Sequence, residues 1–496
     1  MFAHYDSEIR EQLTTPHASE PLFEVPLGPE EGVGVPRAKV DKTFRAYDQH
    51  QLYLLPPSID DWVPEGHLAR FVSELVEEVL DLEPFLASYT EVRGYPPYDP
   101  RLMVKLLVYG YLVGVRSSRA IEKACSDSVA FRFLSANAAP DFRSIARFRR
   151  RHLEALRGMF LQSLKLCQAA GMVRLGRVAL DGTKRRANAS RRKAMSYKYM
   201  GETEERLQRE VDDLLKDAEA TDQREDKAFG PDGRDDDLAG ELARRETRLA
   251  KIRKAKADLE ADARRRAAEA ADRRARDKGA DDKAVAEAAT RAAAKATPDD
   301  KAQRNFTDPD ARVMKTSDGS FHYCYNAQAV VDDANQVIVA TRLDNDAADA
   351  PAFEEMLDQV IENCGTAPGQ VLADAGYFSG DNLKAAATRD IDPLIATGRL
   401  RHGEEVPAAP RGRIPKHATP TQRMARKLRT KAGKASYARR KVIVEPVFGQ
   451  MDVVQGAKHL LLRGADAAAA EWDLLSACHN LRKLFVVKGT TKVAVT

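Results

Sequence analysis

From Gly201 to about residue 300 the chain carries a single aromatic residue, Phe229, in a background of Ala, Arg, Lys, Asp and Glu. Strand-like sequence stops before this stretch and resumes after it. Any sheet must therefore be assembled from two halves separated by a charged insertion. Leu242, Leu249, Ile252 and Leu259 trace a weak heptad through the insertion. They predict one or two long charged helices, with a coiled coil as one arrangement. A partly unstructured spacer is the alternative, and Gly230-Pro-Asp-Gly233 favours it locally.

Upstream of the insertion, Arg177-Val-Ala-Leu-Asp-Gly-Thr183 reads as a short apolar strand that delivers Asp181 at its end. Lys184, Arg185, Arg186, Arg191, Arg192, Lys193 and Lys198 follow with no acid before Glu202, a pattern that fits a phosphate-binding surface. An Asp-Gly turn is the plainer alternative. Downstream, strands are expected at 321–325, 327–331 and 337–341, with Asp332-Asp-Ala-Asn335 turning the last two into a hairpin. A helix over 352–364 leads to Val371-Leu-Ala-Asp-Ala-Gly-Tyr-Phe378, where an apolar strand stops at Asp374 and Gly376. Pro393-Leu-Ile-Ala396 gives one more strand. The order fits an α/β fold with a mixed five-stranded sheet packed by helices. A carboxylate at a strand exit, followed by a glycine turn, is where α/β folds keep their chemistry, although Asp374 also suits a helix cap.

At the other end, Pro16, Pro21, Pro26, Pro29 and Pro36 mark a flexible arm. After Leu54-Leu-Pro-Pro-Ser58, apolar spacing predicts helices over 67–82, 100–115, 119–125 and 145–156, with Ser117 or Ser118 as a cap. The last carries Arg147, Arg149, Arg150, Arg151 and His152. Short helices split by tight turns, the final one basic, suggest a helix-turn-helix-like DNA-binding module. A helical bundle with a solvated arginine face is the other reading.

Formal net charge is only +4, so the partner must be read from how charge is distributed. From Arg411 to Lys441 the chain is densely basic and has no acid, the strongest polyanion signal present. This segment runs into Val442-Ile-Val-Glu-Pro-Val-Phe-Gly-Gln450, where Glu445 stands alone among apolar residues and needs a cation or a metal. Cys125, Cys167, Cys324, Cys364 and Cys478 are scattered singly without a CxxC pair, which argues for a reducing compartment and against structural zinc. With no signal pattern and no apolar run of membrane length, a soluble cytoplasmic protein is expected.

Asp181, Asp374 and Glu445, offered by three separate stretches, suit a metal-dependent cut in nucleic acid. Two Mg2+ ions, with Mn2+ as a substitute, can activate water or a 3′-hydroxyl and stabilise the leaving oxygen when carboxylates hold them. Lys184, Arg185, Arg186, Arg426, Lys427, Arg439, Arg440 and Lys441 are the cations expected to hold the DNA backbone, whereas Arg147, Arg149 and Arg150 are expected to serve recognition of the element ends.

In Leu54-Leu-Pro-Pro-Ser58, Asp308-Pro-Asp-Ala-Arg312, Tyr325-Asn-Ala-Gln328, Ala373-Asp-Ala-Gly-Tyr377 and Glu445-Pro-Val-Phe-Gly-Gln450, the chain resembles bacterial insertion-sequence transposases of the DDE type. Within them it is similar to the branch with a Tyr-Arg-Glu-Lys signature around the glutamate. The resemblance, from about residue 50 to about 486, implies an RNase H-like core in which Asp181, Asp374 and Glu445 bind the metals. It also implies movement of an element with inverted terminal repeats, double-stranded DNA as partner (element ends and target), a homodimer on DNA, and a bacterial, nucleoid-associated setting. The expected domains are an arm at 1–50, a helical DNA-binding domain at 51–170, and a catalytic domain at 171–200 and 306–486 with its basic segment at 400–441. A charged insertion at 201–305 and a tail at 487–496 complete the chain.

Two departures stand against the signature. Tyr437 is one position early and Lys441 replaces the arginine, while Asp452 stands where a lysine is expected. Asp452 either leaves the phosphate contact to Lys441 or Lys458, or pairs with an arginine and fixes its helix. Pro446 disfavours helical geometry at Glu445 unless a helix starts or kinks there. A metal-dependent nuclease that does not join strands and a non-catalytic DNA-binding repressor are the alternative functions.

Overall fold

The computed structural model describes residues 58–90, 93–228, 236–398, 412–415 and 417–488. The expected arm, residues 54–57, the turn at 230–233, Arg411, Lys416 and the tail beyond Lys488 lie outside them. The chain divides into two compact units, Met1–Ala187 with Met314–Thr496, and Asn188–Val313.

The first unit is built on a mixed sheet. In chain order the strands are β1 (Val178–Arg186), β2 (Ala194–Ser196), β3 (Gln303–Asn305), β4 (Arg312–Lys315), β5 (Phe321–Asp332), β6 (Ile338–Asp344), β7 (Gln370–Ala373) and β8 (Asp392–Ile395). Six of them form one sheet in the order β4-β5-β1-β7-β8, with β6 also on β5. β5 is antiparallel to both β1 and β6, whereas β7 runs parallel to β1 and β8 parallel to β7. The central apolar residues Val178, Ala179, Leu180, Val371, Leu372 and Ala373 are buried, as strands covered on both faces require. β1 continues past Asp181 to Arg186, because its pairing with β5 holds as far as Arg186↔Cys324 despite the basic side chains. The two strands expected at 321–325 and 327–331 are one, with Asn326 buried inside it.

Among the described residues, seven α-helices precede β1: α1 (Leu68–Glu74), α2 (Glu83–Leu86), α3 (Pro100–Val113), α4 (Ser118–Asp127), α5 (Val129–Leu134), α6 (Phe142–Arg151) and α7 (Leu153–Ala169). Local chemistry sets their starts: Asp99, Ser117 and Asp141 each cap a helix through the side-chain oxygen. The helix expected over 145–156 is broken at His152 into α6 and α7. Four helices follow the sheet's first strands, α11 (Phe353–Cys364), α12 (Gly380–Thr388), α13 (Pro420–Arg429) and α14 (Lys431–Val453), and α15 (Ala465–Lys488) closes the described chain; α8–α10 belong to the second unit.

Within the first unit the N-terminal helices α3 and α7 pack against α15. Glu471 of α15 is buried and fully engaged. It pairs with Arg116 at 3.0 Å and accepts from Tyr111 at 3.2 Å and from the Leu461 and Leu462 amides at 2.7 and 2.8 Å. Arg149 extends this network, donating to the Tyr111 hydroxyl at 3.1 Å and the Arg116 carbonyl at 3.0 Å. A buried charge is stable when its polar atoms are satisfied in this way.

In the second unit, α8 (Tyr197–Ala228) and α9 (Asp236–Asp277) form an antiparallel hairpin, joined by α10 (Asp282–Lys295) and by the β2–β3 pair. Met200 and Leu207 meet Leu249, Ile252, Ala255 and Leu259 in a narrow apolar seam. Glu204 receives Arg253 and Lys256, both at 3.0 Å, and Glu210 receives Arg245 at 3.2 Å. The heptad trace is thus the seam of a hairpin, except for Leu242, whose side chain lies outside the described residues.

Candidate active site

The register of the parallel pair β1–β7 ends at Leu180↔Ala373, so the next residues, Asp181 and Asp374, stand on neighbouring strands. β7 stops there while β1 runs on, which leaves one edge of β1 open beyond Leu180. Asp374 accepts the Gly376 amide at 2.8 Å and caps the short turn Ala375–Tyr377, so the capping role and a place in the site coexist. Asp181 accepts the Gly182 amide at 2.9 Å and the Arg440 guanidinium at 2.7 Å. Burial pushes its carboxyl up to about 6; Arg440 pulls it down, and the charge of Asp374 adds to the rise.

Arg440 comes from α14, and Tyr437 lies one turn earlier on the same helix; burial raises the Tyr437 hydroxyl, which also feels Arg440, Asp374 and Asp181. Tyr437 and Arg440 thus both lie near Asp181 and Asp374, while Lys441 faces solvent. α14 runs through Glu445 without interruption, contrary to the expectation from Pro446. The missing proline N–H would have bonded the Val442 carbonyl, and Gln336 Nε2 takes its place at 2.9 Å. Glu445 itself is exposed and makes no hydrogen bond or ion pair within the described residues. Among those residues, no three His, Cys, Asp or Glu side chains stand close enough to hold an ion. The three expected carboxylates thus appear as a pair, Asp181 and Asp374, with Glu445 apart and the Arg440 cation on Asp181.

Three further side chains meet at this edge. Asp349, in the loop after β6, accepts Asn326 Nδ2 at 2.7 Å and Lys184 Nζ at 3.1 Å. The buried Tyr377 hydroxyl has no hydrogen-bond partner; burial, then Asp349, Asp181 and Asp374, raise it well above its ordinary range. Sequence reasoning missed Asp349 because Asp344-Asn-Asp-Ala-Ala-Asp349 reads as an acidic loop. Its one signal is Asn326, a polar residue inside an apolar strand that needs a partner.

The cations expected on DNA divide into three groups. Arg149 and Arg185 are buried. Arg185 lies with its guanidinium carbon 5.6 Å from the Phe448 ring and 5.3 Å from the Trp472 ring, and it pairs with Asp452. Of the two readings of Asp452, the structure realises the arginine pair. Lys184, Arg186, Lys427, Arg439 and Arg440 pair with Asp349, Asp318, Asp392, Asp333 and Asp181, and Arg426 bonds the Gly412 carbonyl. Arg147, Arg150 and Lys441 are exposed.

The donors at the β1 edge are all oxygen, a set that suits a hard divalent cation. No helix among the described residues is long and apolar enough to cross a membrane. Comparison with protein families gives two matches: residues 57–151 fit a model described as a transposase domain (DUF772), and residues 295–481 fit one described as a transposase DDE domain. Neither a curated protein nor a solved structure matches the chain. The second match contains Asp374, Arg440 and Glu445, and the first contains the basic helix α6. The chain belongs to the DDE transposases of insertion sequences and is a DNA transposase.

Proposed function

We propose that this transposase cuts the ends of its element and joins the freed 3′-hydroxyls to target DNA, with Asp181, Asp374 and Glu445 as its metal-binding carboxylates. The observation that carries this reading is the placement of Asp181 and Asp374 directly after the last residues that β1 and β7 pair, with the burial and the charge of Asp374 that raise Asp181. Bound Mg2+ supplies activation of water or the 3′-hydroxyl and stabilisation of the leaving oxygen. Asp181 and Asp374 would hold the cation, one from β1 and the other from the turn that follows β7. Arg440 pairs with Asp181 and so places a positive charge at this edge, where it could meet a phosphate.

The strand order, with antiparallel β5 and β6 on one side of β1 and parallel β7 and β8 on the other, supports an RNase H-like core. Exposed Arg147 and Arg150 support α6 as the DNA-facing helix of a helix-turn-helix-like module, and exposed Lys441 supports backbone contact near the site. The assembly proposed is a homodimer on double-stranded DNA.

The test is cleavage of a labelled terminal repeat by Asp181→Asn, Asp374→Asn and Glu445→Gln, with end binding measured in parallel. Each variant is expected to bind ends and fail to cut. Cleavage at the parent rate by any one of them removes that residue from the site.

A further inference from the structure

Two glycines keep the open edge of β1 clear around Asp349. A Cβ on Gly376 would stand 2.9 Å from Asp349 Oδ2 and 3.0 Å from Asp374 Oδ1, so both carboxylates border one point. A Cβ on Gly182 would stand 3.1 Å from Asp349 Oδ1, 3.2 Å from Asn326 Oδ1 and 3.3 Å from the Tyr377 hydroxyl. Asn326 Oδ1 and the Tyr377 hydroxyl are buried and have no hydrogen-bond partner. Buried polar atoms in folded proteins are nearly always satisfied, so two orphans aimed at one small space mark the position of something that binds there.

The charge on Asp349 narrows the choice. Its Oδ1 takes both protein donors, Lys184 and Asn326, while Oδ2 borders the same point at Gly376 as Asp374 Oδ1. Two carboxylates bordering one point repel unless a cation lies between or beside them. Lys184 supplies that charge to Asp349 as Arg440 supplies it to Asp181. Divalent cations such as Mg2+ need only one or two protein carboxylates, with water and substrate phosphate completing the set.

We propose that Asp349 is a further active-site carboxylate, beside Asp181, Asp374 and Glu445, that shares a divalent cation with Asp374, with Tyr377 and Asn326 ordering the water around it. This rests on the reading of Asp374 as a metal-binding residue. Cation binding displaces Lys184 from Asp349 and frees its ammonium for a DNA phosphate.

The experiment is Mn2+ binding to the full-length protein without DNA, followed by calorimetry and by electron paramagnetic resonance. Asp349→Asn is expected to lose one Mn2+ or to weaken binding by at least about tenfold, with an unchanged melting temperature. Lys184→Met, which removes the competing cation, is expected to tighten Mn2+ binding by at least about threefold. This second variant decides the matter if Asp349→Asn does not fold. Mn2+ affinity within about twofold of the parent in Asp349→Asn, or unchanged or weaker binding in Lys184→Met, overturns the proposal. Asp374→Asn separates the two readings. If it too leaves Mn2+ binding intact, the underlying metal site fails; if it alone weakens binding, only the role of Asp349 does.

Discussion

A guanidinium as deeply buried as that of Arg185 needs a counter-charge, and Asp452 is the one it has. Arg185 Nε and Nη2 have no hydrogen-bond partner, so the pair and the flanking Phe448 and Trp472 rings carry the whole burden of keeping it inside. The substitution Asp452→Lys therefore places two cations together. The expected result is a loss of roughly 3 kcal/mol in stability, since breaking a buried pair leaves an uncompensated charge. Urea unfolding of the variant measures it, and an unchanged midpoint would show that the pair does not hold the helix. The same residue-level rule explains which cations the sequence could not place. The segment before Glu445 has no acid along the chain, yet Lys427, Arg439 and Arg440 find Asp392, Asp333 and Asp181, partners 35 or more residues away. Local charge composition identifies a basic segment and says nothing about which tertiary acids meet it.

At the scale of elements, the hairpin tip between β5 and β6 is tied to both C-terminal helices. Gln336, with φ +59°, donates its side chain to Val442 of α14, offers its carbonyl to His479 of α15 at 2.9 Å, and accepts Lys483 Nζ at 2.6 Å. His479 is wholly buried, and burial pushes its imidazole down to about 4. His152, between α6 and α7, is likewise pushed down to about 4 by burial and then by Arg151. Both imidazoles are held neutral in the fold, below the ordinary 6.5 of the unfolded chain. The unfolded state then binds more protons between those values, so their contribution is complete above pH 6.5 and is lost as pH falls toward 4. Each accounts for up to about 3 kcal/mol. Asp181, raised by burial, works in the opposite direction, so the comparison that isolates the effect is His479→Gln against the parent at pH 7.5 and 5. The variant should show the smaller loss on acidification; equal losses would mean that His479 is not held neutral. The strands beside the hairpin were legible because apolar runs ended at turn residues, as at Asp332 and Asp374. The continuity of α14 was not, because the partner that repairs the proline break, Gln336, lies far off in sequence.

For the molecule as a whole, the charged insertion was readable from composition alone, and the structure folds it as a helical hairpin with its own seam. The packing of the N-terminal helices against α15 was not readable, because it depends on Glu471 and Arg116, which are far apart in sequence and meet only in the folded core. Asp374 was legible as a carboxylate at a strand end, and Asp181 was expected at one too but lies within β1, which runs on to Arg186; Asp349 and Tyr377 became visible only where the open edge of β1 gathers them. The claim on which the account depends is that Asp181 and Asp374 carry both cutting and joining. It is tested most directly by strand transfer: the purified chain, a labelled 3′-hydroxyl terminal repeat, a target plasmid and Mg2+. The account predicts that the parent protein joins the labelled end to the plasmid and that Asp181→Asn and Asp374→Asn bind the same end without joining it. Joining by either variant at the parent rate would contradict it.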